Sequence, residues 1–261
     1  SYLIELCFNN SINWTILKSV NNSLAKRKIL GITEKNINQI EKNAFRNSLN
    51  KIEEIYLFKN KINILQKNVF SNLQSLHVLS ISSNELTILL NSAFNELSNL
   101  IRLDLSSNKI EIIELYAFNG LYKLEELDTK SNRIKFLKDQ HFSHLNSLKI
   151  LNMRWNEIEY IEMNAFKNLI KLEEIDISMN KLIKFENDTF RSLNILKQLY
   201  SSNNYIKILN ENFLNLKNYS NLERLNFEFN NLQSIQNNTF ESVSNSLGWL
   251  YLSNNQIKEL D

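Results

Sequence analysis

Residues 76–86, LHVLSISSNEL, return 24 residues later as LIRLDLSSNKI (100–110) and again as LEELDTKSNRI (124–134). Around Leu79 and Ile81 apolar and outward residues alternate, as in a strand with one buried face. An asparagine follows at a fixed offset (Asn84, Asn108, Asn132). Then come an apolar residue (Leu86, Ile110, Ile134), a second (Leu89, Ile113, Leu137), a phenylalanine (Phe94, Phe118, Phe142) and a leucine (Leu97, Leu121, Leu145). The asparagine column continues through Asn156, Asn180, Asn204, Asn230 and Asn255, and Asn60 precedes it. A degenerate first copy carries Leu30, Ile32, Ile37, Ile40 and Phe45, with Lys35 in the asparagine position. The register slips by one or two residues near Leu49, Lys217 and Ser244, where a loop absorbs the change.

Each column has a physical reason. Stacked copies set their short strands side by side in a parallel sheet. The asparagine stands where the chain leaves the strand, and its amide can satisfy backbone groups that the bend strands. The phenylalanines (Phe45, Phe70, Phe94, Phe118, Phe142, Phe166, Phe190, Phe213, Phe240) fill the space behind the sheet. The chain has 44 asparagines but only three glycines and no proline. Corners must therefore be turned without the usual residues, and asparagine, which tolerates left-handed geometry, is the expected substitute.

The pattern resembles that of the leucine-rich-repeat family, L-x-x-L-x-L-x-x-N-x-L, over residues 27–261. The tails of the copies, Ala93-Phe94 and Ala117-Phe118, look like the typical subclass of animal extracellular proteins. Toll-like receptor ectodomains, slit-like guidance proteins and small matrix proteoglycans belong to it. The head, with a lone Cys7 beside Phe8 and a degenerate Ile29-Leu30-Gly31-Ile32 strand after a gap, is similar to that of insect secreted repeat proteins. The resemblance implies an α/β horseshoe solenoid with a concave parallel sheet and an irregular, short-helical convex side. Residues 1–26 are expected to be an amino-terminal cap or degenerate repeat, with a capping strand over 3–8 and Trp14, Ile16, Leu17 and Val20 covering the first repeat. Residues 27–261 form an array of about ten repeats. No carboxy-terminal cap is legible, so the chain reads as a mature product or a piece of something longer.

The formal net charge is +2 and the charges are interspersed, unlike the basic stripe of a nucleic-acid binder; no nucleic-acid partner is expected. No apolar run reaches the ~18–20 residues of a membrane span, so any membrane contact is expected through a segment outside this chain. A single cysteine permits no intrachain disulfide and leaves the redox compartment open.

Catalytic or metal constellations are sparse. His141 and His144 are three apart, but no matched ligand set accompanies them, and both are expected to be solvated loop residues; His77 falls on the sheet segment. The three glycines are isolated, so no phosphate loop exists. Asp104, Asp128 and Asp176 share one outward strand position, with Glu126 and Glu174 in a neighbouring one and Arg102, Lys130 and Arg154 close enough to offset repulsion. They are expected to be solvated or partner-facing rather than paired acids. No cofactor, metal or enzymatic activity is expected.

Asn-x-Ser/Thr sequons occur at Asn9, Asn13, Asn21, Asn187, Asn218 and Asn237, about five or six being what this composition yields by chance. Asn187, Asn218 and Asn237 are the candidate glycosylation sites. The outward strand residues are free of packing duty. Tyr56, Phe58, Arg154, Tyr200, Trp249 and Tyr251, with Trp155 and Phe229 at the rim, are the candidate partner-binding residues, being of the types that dominate interfaces; Ile150 and Met179 lie beside them. The leading expectation is a protein-binding recognition module of a secreted or cell-surface protein, in innate immune recognition or cell adhesion, with its ligand on the concave sheet. The alternative is an intracellular scaffold. Oligomeric state is not legible.

Overall fold

The computed structural model describes residues 11–12, 28–42, 44–45, 51–210, 214 and 221–260. The chain divides into two compact units, Ser1–Asn132 and Arg133–Asp261. The expected capping strand over 3–8 and the residues Trp14, Ile16, Leu17, Val20, Phe213 and Asn218 lie outside the described residues.

In the first unit five three-residue strands, β1 (Ile29–Gly31), β2 (Glu54–Tyr56), β3 (Val78–Ser80), β4 (Arg102–Asp104) and β5 (Glu126–Asp128), pair in parallel. Their register aligns Leu30, Ile55, Leu79, Leu103 and Leu127 in one row. The second unit repeats this with β6 (Ile150–Asn152), β7 (Glu174–Asp176), β8 (Gln198–Tyr200), β9 (Arg224–Asn226) and β10 (Trp249–Tyr251). Its row is Leu151, Ile175, Leu199, Leu225 and Leu250. The row residues are buried in both units; Leu250, in the outermost described strand, is 39% exposed. Each unit is thus a parallel β-solenoid, the architecture that the 24-residue period implies.

A second set of two-residue strands runs along the flank. Ser11–Ile12 pairs with Gln39–Ile40 and Ile88–Leu89 with Ile112–Ile113 in the first unit. Phe136–Leu137 pairs with Tyr160–Ile161, and Ile208–Leu209, Ser234–Ile235 and Glu259–Leu260 form a third group, in the second. The equivalent residues 61–66 and 181–186 form no strand. The outer side is built from turns. Among the described residues its one helical element is the 3-10 turn Glu241–Val243, which takes up the extra residue near Ser244.

Behind the sheet the phenylalanines stack. Phe45, Phe70, Phe94 and Phe118 follow one another at 5.9, 6.3 and 6.1 Å between ring centroids. Phe142, Phe166 and Phe190 follow at 6.2 and 5.9 Å. Interplanar angles of 5–24° give near-parallel rings, offset as quadrupoles prefer. Phe240, unlike the rest of the described column, is only half-buried.

Asparagine does take left-handed positions in turns, as at Asn36, Asn68, Asn72 and Asn238, but the strand corners need not use it. The left-handed residue is not the ladder asparagine but the residue before it: Lys59, Ser83, Ser107, Ser131, Trp155, Met179, Asn203, Phe229 and Asn254 all have φ between 54° and 58°. Asparagine acts through its side chain instead. Asn108 Nδ2 donates to Ile81 O, Leu105 O and Ser106 O (3.0, 3.0 and 3.3 Å), and its Oδ1 accepts from Leu86 N–H at 3.1 Å. Two of these partners belong to the preceding repeat. The same pattern holds at Asn60, Asn84, Asn132, Asn180, Asn204, Asn230 and Asn255. At Asn156 Oδ1 accepts from Ile134 N–H and Nδ2 donates to Met153 O. Because the amide grips the two carbonyls that precede the corner, varied residues are held left-handed there, even a tryptophan.

Candidate functional site

The open face of the sheet is lined by the first and third residues of each strand. The third position carries Gly31, Tyr56, Ser80, Asp104 and Asp128 in the first unit, and Asn152, Asp176, Tyr200, Asn226 and Tyr251 in the second. Wherever this residue is Asp or Asn it caps the strand. Asp104, Asp128, Asn152, Asp176 and Asn226 each accept, through Oδ1, the backbone N–H two residues on, at 2.8–3.1 Å. Their side chains thus perform a local turn function, which explains the aligned aspartates without any acid–base chemistry. Burial pushes the Asp128 carboxyl above its usual range, and Asp104 adds to the effect against Lys130. Glu174 is raised in the same sense by burial and by Asp176.

The aromatic candidates fall into groups. In the first unit Tyr56 and Phe58 meet edge to face at 6.5 Å, and Tyr56 Oη donates to Glu54 Oε2 at 2.7 Å. In the second unit Tyr200 donates to Gln198 Oε1, two strands from Tyr251 in the same row. Trp249 and Tyr251 are 47% and 39% exposed. Arg224 was not anticipated: its guanidinium lies 4.5 Å from the centroid of the Trp249 ring, a cation–π contact. The 25-residue step from Arg224 to Trp249 conceals that they are cross-strand neighbours. Arg154 is exposed. Trp155 and Phe229 are 53% and 52% exposed at left-handed positions, three strands apart, or roughly 14 Å by strand spacing.

The histidines depart from expectation. His141 is not solvated; it is 3% exposed in a column that is alanine at Ala93, Ala117 and Ala165. Its Nδ1 accepts from Lys138 N–H at 3.3 Å, and its ring meets Phe142 edge-on. Burial, with Lys138 nearby, depresses its pKa from 6.5 to about 4. The folded chain thus holds His141 neutral while the unfolded chain protonates near pH 6.5. Stability from this group is complete above pH 6.5 and is lost as pH falls towards 4. His141→Ala is expected to remove on the order of 2 kcal/mol of acid destabilisation between pH 7 and 4.5, read from urea midpoints of both proteins at each pH. His144 is half-buried beside Ser143. Among the described residues no group of three or more His, Cys, Asp or Glu is placed to hold a metal, and no helix is long and apolar enough to cross a membrane.

Asn187 and Asn237 lie on the flank, each seven residues after a ladder asparagine and each exposed. Neither is on a strand of the sheet, so these two sequons and the sheet face are separate surfaces of the second unit.

Comparisons with known proteins agree with this geometry. No curated protein sequence matches the chain. In structure it is similar to TLR13 in a TLR13–ssRNA13 complex, with a TM-score of 0.82, 25% identity and 96% of this chain covered. It is similar to a chain of the LRIM1/APL1C complex, with a TM-score of 0.74, 25% identity and 96% covered. An internalin (InlF) of Listeria monocytogenes shares the fold at a TM-score of 0.69, 23% identity and 93% covered. The chain spans 37% of the TLR13 chain, 43% of the LRIM1/APL1C chain and 66% of the internalin. The "Leucine rich repeat" family profile matches residues 28–86, 74–134 and 123–182. That is more than half of the 261 residues, and the repeats it matches are the ones whose leucine rows and asparagine ladder are described above: the chain belongs to the leucine-rich-repeat family.

Proposed function

We propose that the chain is a recognition module of a secreted or cell-surface protein, in innate immune recognition or adhesion, and that it binds a protein ligand on the open, concave-side face of its sheet. One observation carries the reading. Trp155 and Phe229 occupy corners where a left-handed backbone suits asparagine or glycine and disfavours bulky residues, yet each residue is about half exposed. Neither strain nor exposure serves stability, so selection for contact is the remaining reason. Tyr56, Phe58, Arg154, Tyr200, Trp249 and Tyr251 add the side chains typical of interface hot spots. The carboxylates of Glu126, Asp104, Asp128, Glu174 and Asp176 on the same faces oppose a phosphate backbone, which favours a protein over the RNA that accompanies TLR13. In this reading residues 1–26 are an amino-terminal cap or degenerate repeat and 27–261 the repeat array. Similarity to TLR13 and to the LRIM1/APL1C complex supports the extracellular setting.

Two experiments test it. The alanine variant of Tyr56, Arg154, Trp155 and Tyr200 is expected to lose most of the protein recovered by the parent chain in pull-downs from extracellular fluid, with single-stranded RNA as a parallel probe. Unchanged recovery, or RNA bound in preference to protein, overturns the assignment. Trp155→Asn is expected to raise the unfolding free energy by about 0.5–1 kcal/mol, by relieving the corner, while weakening partner recovery. A variant that is both less stable and fully binding contradicts the argument.

A further inference from the structure

On the flank of the second unit, away from the sheet, lies a groove of about 690 Å³, within the ~300–1,000 Å³ of ligand-sized clefts. Its position follows from a lapse in the flank strands. Residues 181–186 form no strand between Tyr160–Ile161 and Ile208–Leu209. The flank column, which is Leu89, Ile113, Leu137, Ile161, Leu209 and Ile235 elsewhere, carries Phe185 here. The larger ring is accommodated by turning edge-on to Phe190 and Phe227 at 4.9 and 6.3 Å. Around it Tyr160, Met163, Ile183 and Ile208 are 42%, 51%, 56% and 50% exposed. That is a contiguous apolar lining, of the kind that normally marks contact with something else.

Asn187 forms part of the groove wall and opens the sequon Asn187-Asp188-Thr189. Its Oδ1 accepts from Asn210 Nδ2 at 3.4 Å, which orients the amide and leaves Nδ2 for another bond. Asp188 is left-handed at φ 64°, and Thr189 is buried with Oγ1 donating to Glu186 O at 2.7 Å. The turn therefore projects the asparagine outward. The sequon at Asn237 has the same build, with Asn238 at φ 62° and Thr239 Oγ1 on Gln236 O at 2.6 Å, but Asn237 does not line the groove.

We propose that Asn187 carries an N-linked glycan whose core sugars lie in this groove and cover its apolar lining. The proposal rests on the extracellular reading above. In the attachment step Asn187 Nδ2 loses one proton and bonds to the anomeric carbon of an N-acetylhexosamine. The bond from that carbon to the diphosphate of a lipid-linked oligosaccharide breaks, and the diphosphate leaves with the electron pair. Attachment to the unfolded chain precedes burial of Thr189. A pyranose is amphipathic in the required sense: its C–H face packs on Tyr160 and Met163, while its hydroxyls meet the Asn210 and Gln236 amides and Lys207. Tethering at the wall supplies an effective concentration in the millimolar range without any separate affinity.

The test uses the tagged full-length protein recovered from its own cells and from their medium. Peptide mapping, with enzymatic release of N-glycans in heavy-oxygen water, is expected to find Asn187 occupied. Hydrogen exchange in 158–164 and 203–210 should be at least about threefold slower in the glycosylated protein than in Asn187→Gln. Asn237→Gln should leave those segments unchanged, and Tyr160→Ala should keep the glycan but lose the protection. A secreted protein bare at Asn187, or glycosylated there without protection of the two segments, overturns the proposal and leaves the extracellular reading standing. A protein confined to the cytosol overturns both.

Discussion

Phe142→Ala is expected to lower the unfolding free energy by about 3–5 kcal/mol, the range for truncating a buried aromatic. The ring is 1% exposed and stacks on Phe166 at 6.2 Å with an 18° interplanar angle. His141 rests edge-on against it at 6.4 Å. Removing it creates a void bounded by other rings and by the outer turn, none of which can collapse without breaking the register of the next repeat. Since each repeat is stabilised by its neighbours, the loss appears as a shift of the cooperative urea midpoint. Phe142→Leu, which keeps most of the volume, should recover more than half of it. A Phe142→Ala midpoint equal to that of the parent would show that the column is not a packed spine.

The features legible in the sequence are those that repeat in residue type. Leu79, Leu103 and Leu127 recur at the same offset, and the structure sets them in one row; the phenylalanine stack and the asparagine ladder follow from the same periodicity. Other features change identity from copy to copy while the geometry stays constant. The left-handed corner is occupied by Lys59, Ser83, Trp155 and Phe229, so no letter marks it. His141 replaces an alanine, and a histidine in a polar stretch reads as solvated although the turn encloses it. Phe185 in a leucine column is invisible to a hydrophobic pattern, because the exchange stays within the apolar class. Its consequence, the flank groove, exists only in three dimensions. The face residues were legible as a set because outward strand positions are free to vary. Arg224 on Trp249 was missed because the pairing depends on cross-strand register after an uneven loop.

Asn132→Ala tests the ladder in the interior of the first unit's array. Nδ2 donates to Leu105 O, Thr129 O and Lys130 O at 3.0, 2.9 and 3.3 Å, and Oδ1 accepts from Ile110 N–H at 3.0 Å. Alanine removes all four bonds, and at 7% exposure of the site water can replace few of them. Each buried backbone group left without a partner costs about 1–3 kcal/mol. Ile110 N–H, on the preceding repeat, has the least alternative, whereas Leu105 O still accepts from Asn108 Nδ2, so the net loss is expected at about 1–3 kcal/mol. The corner should also loosen, because Ser131 is held left-handed at φ 56° by the carbonyls the amide grips. Hydrogen exchange at Ile110 should therefore rise more than at Ile62, whose N–H is held by Asn84 in the same unit. Asn132→Asp separates the two halves of the amide: it keeps an acceptor for Ile110 but loses the donor and introduces a buried charge. It is expected to destabilise at least as much at pH 7 and to recover in part below pH 4, where the carboxyl is protonated and can donate once. Equal stability of Asn132→Ala and the parent would mean that the asparagine column is decoration on a sheet that holds itself together.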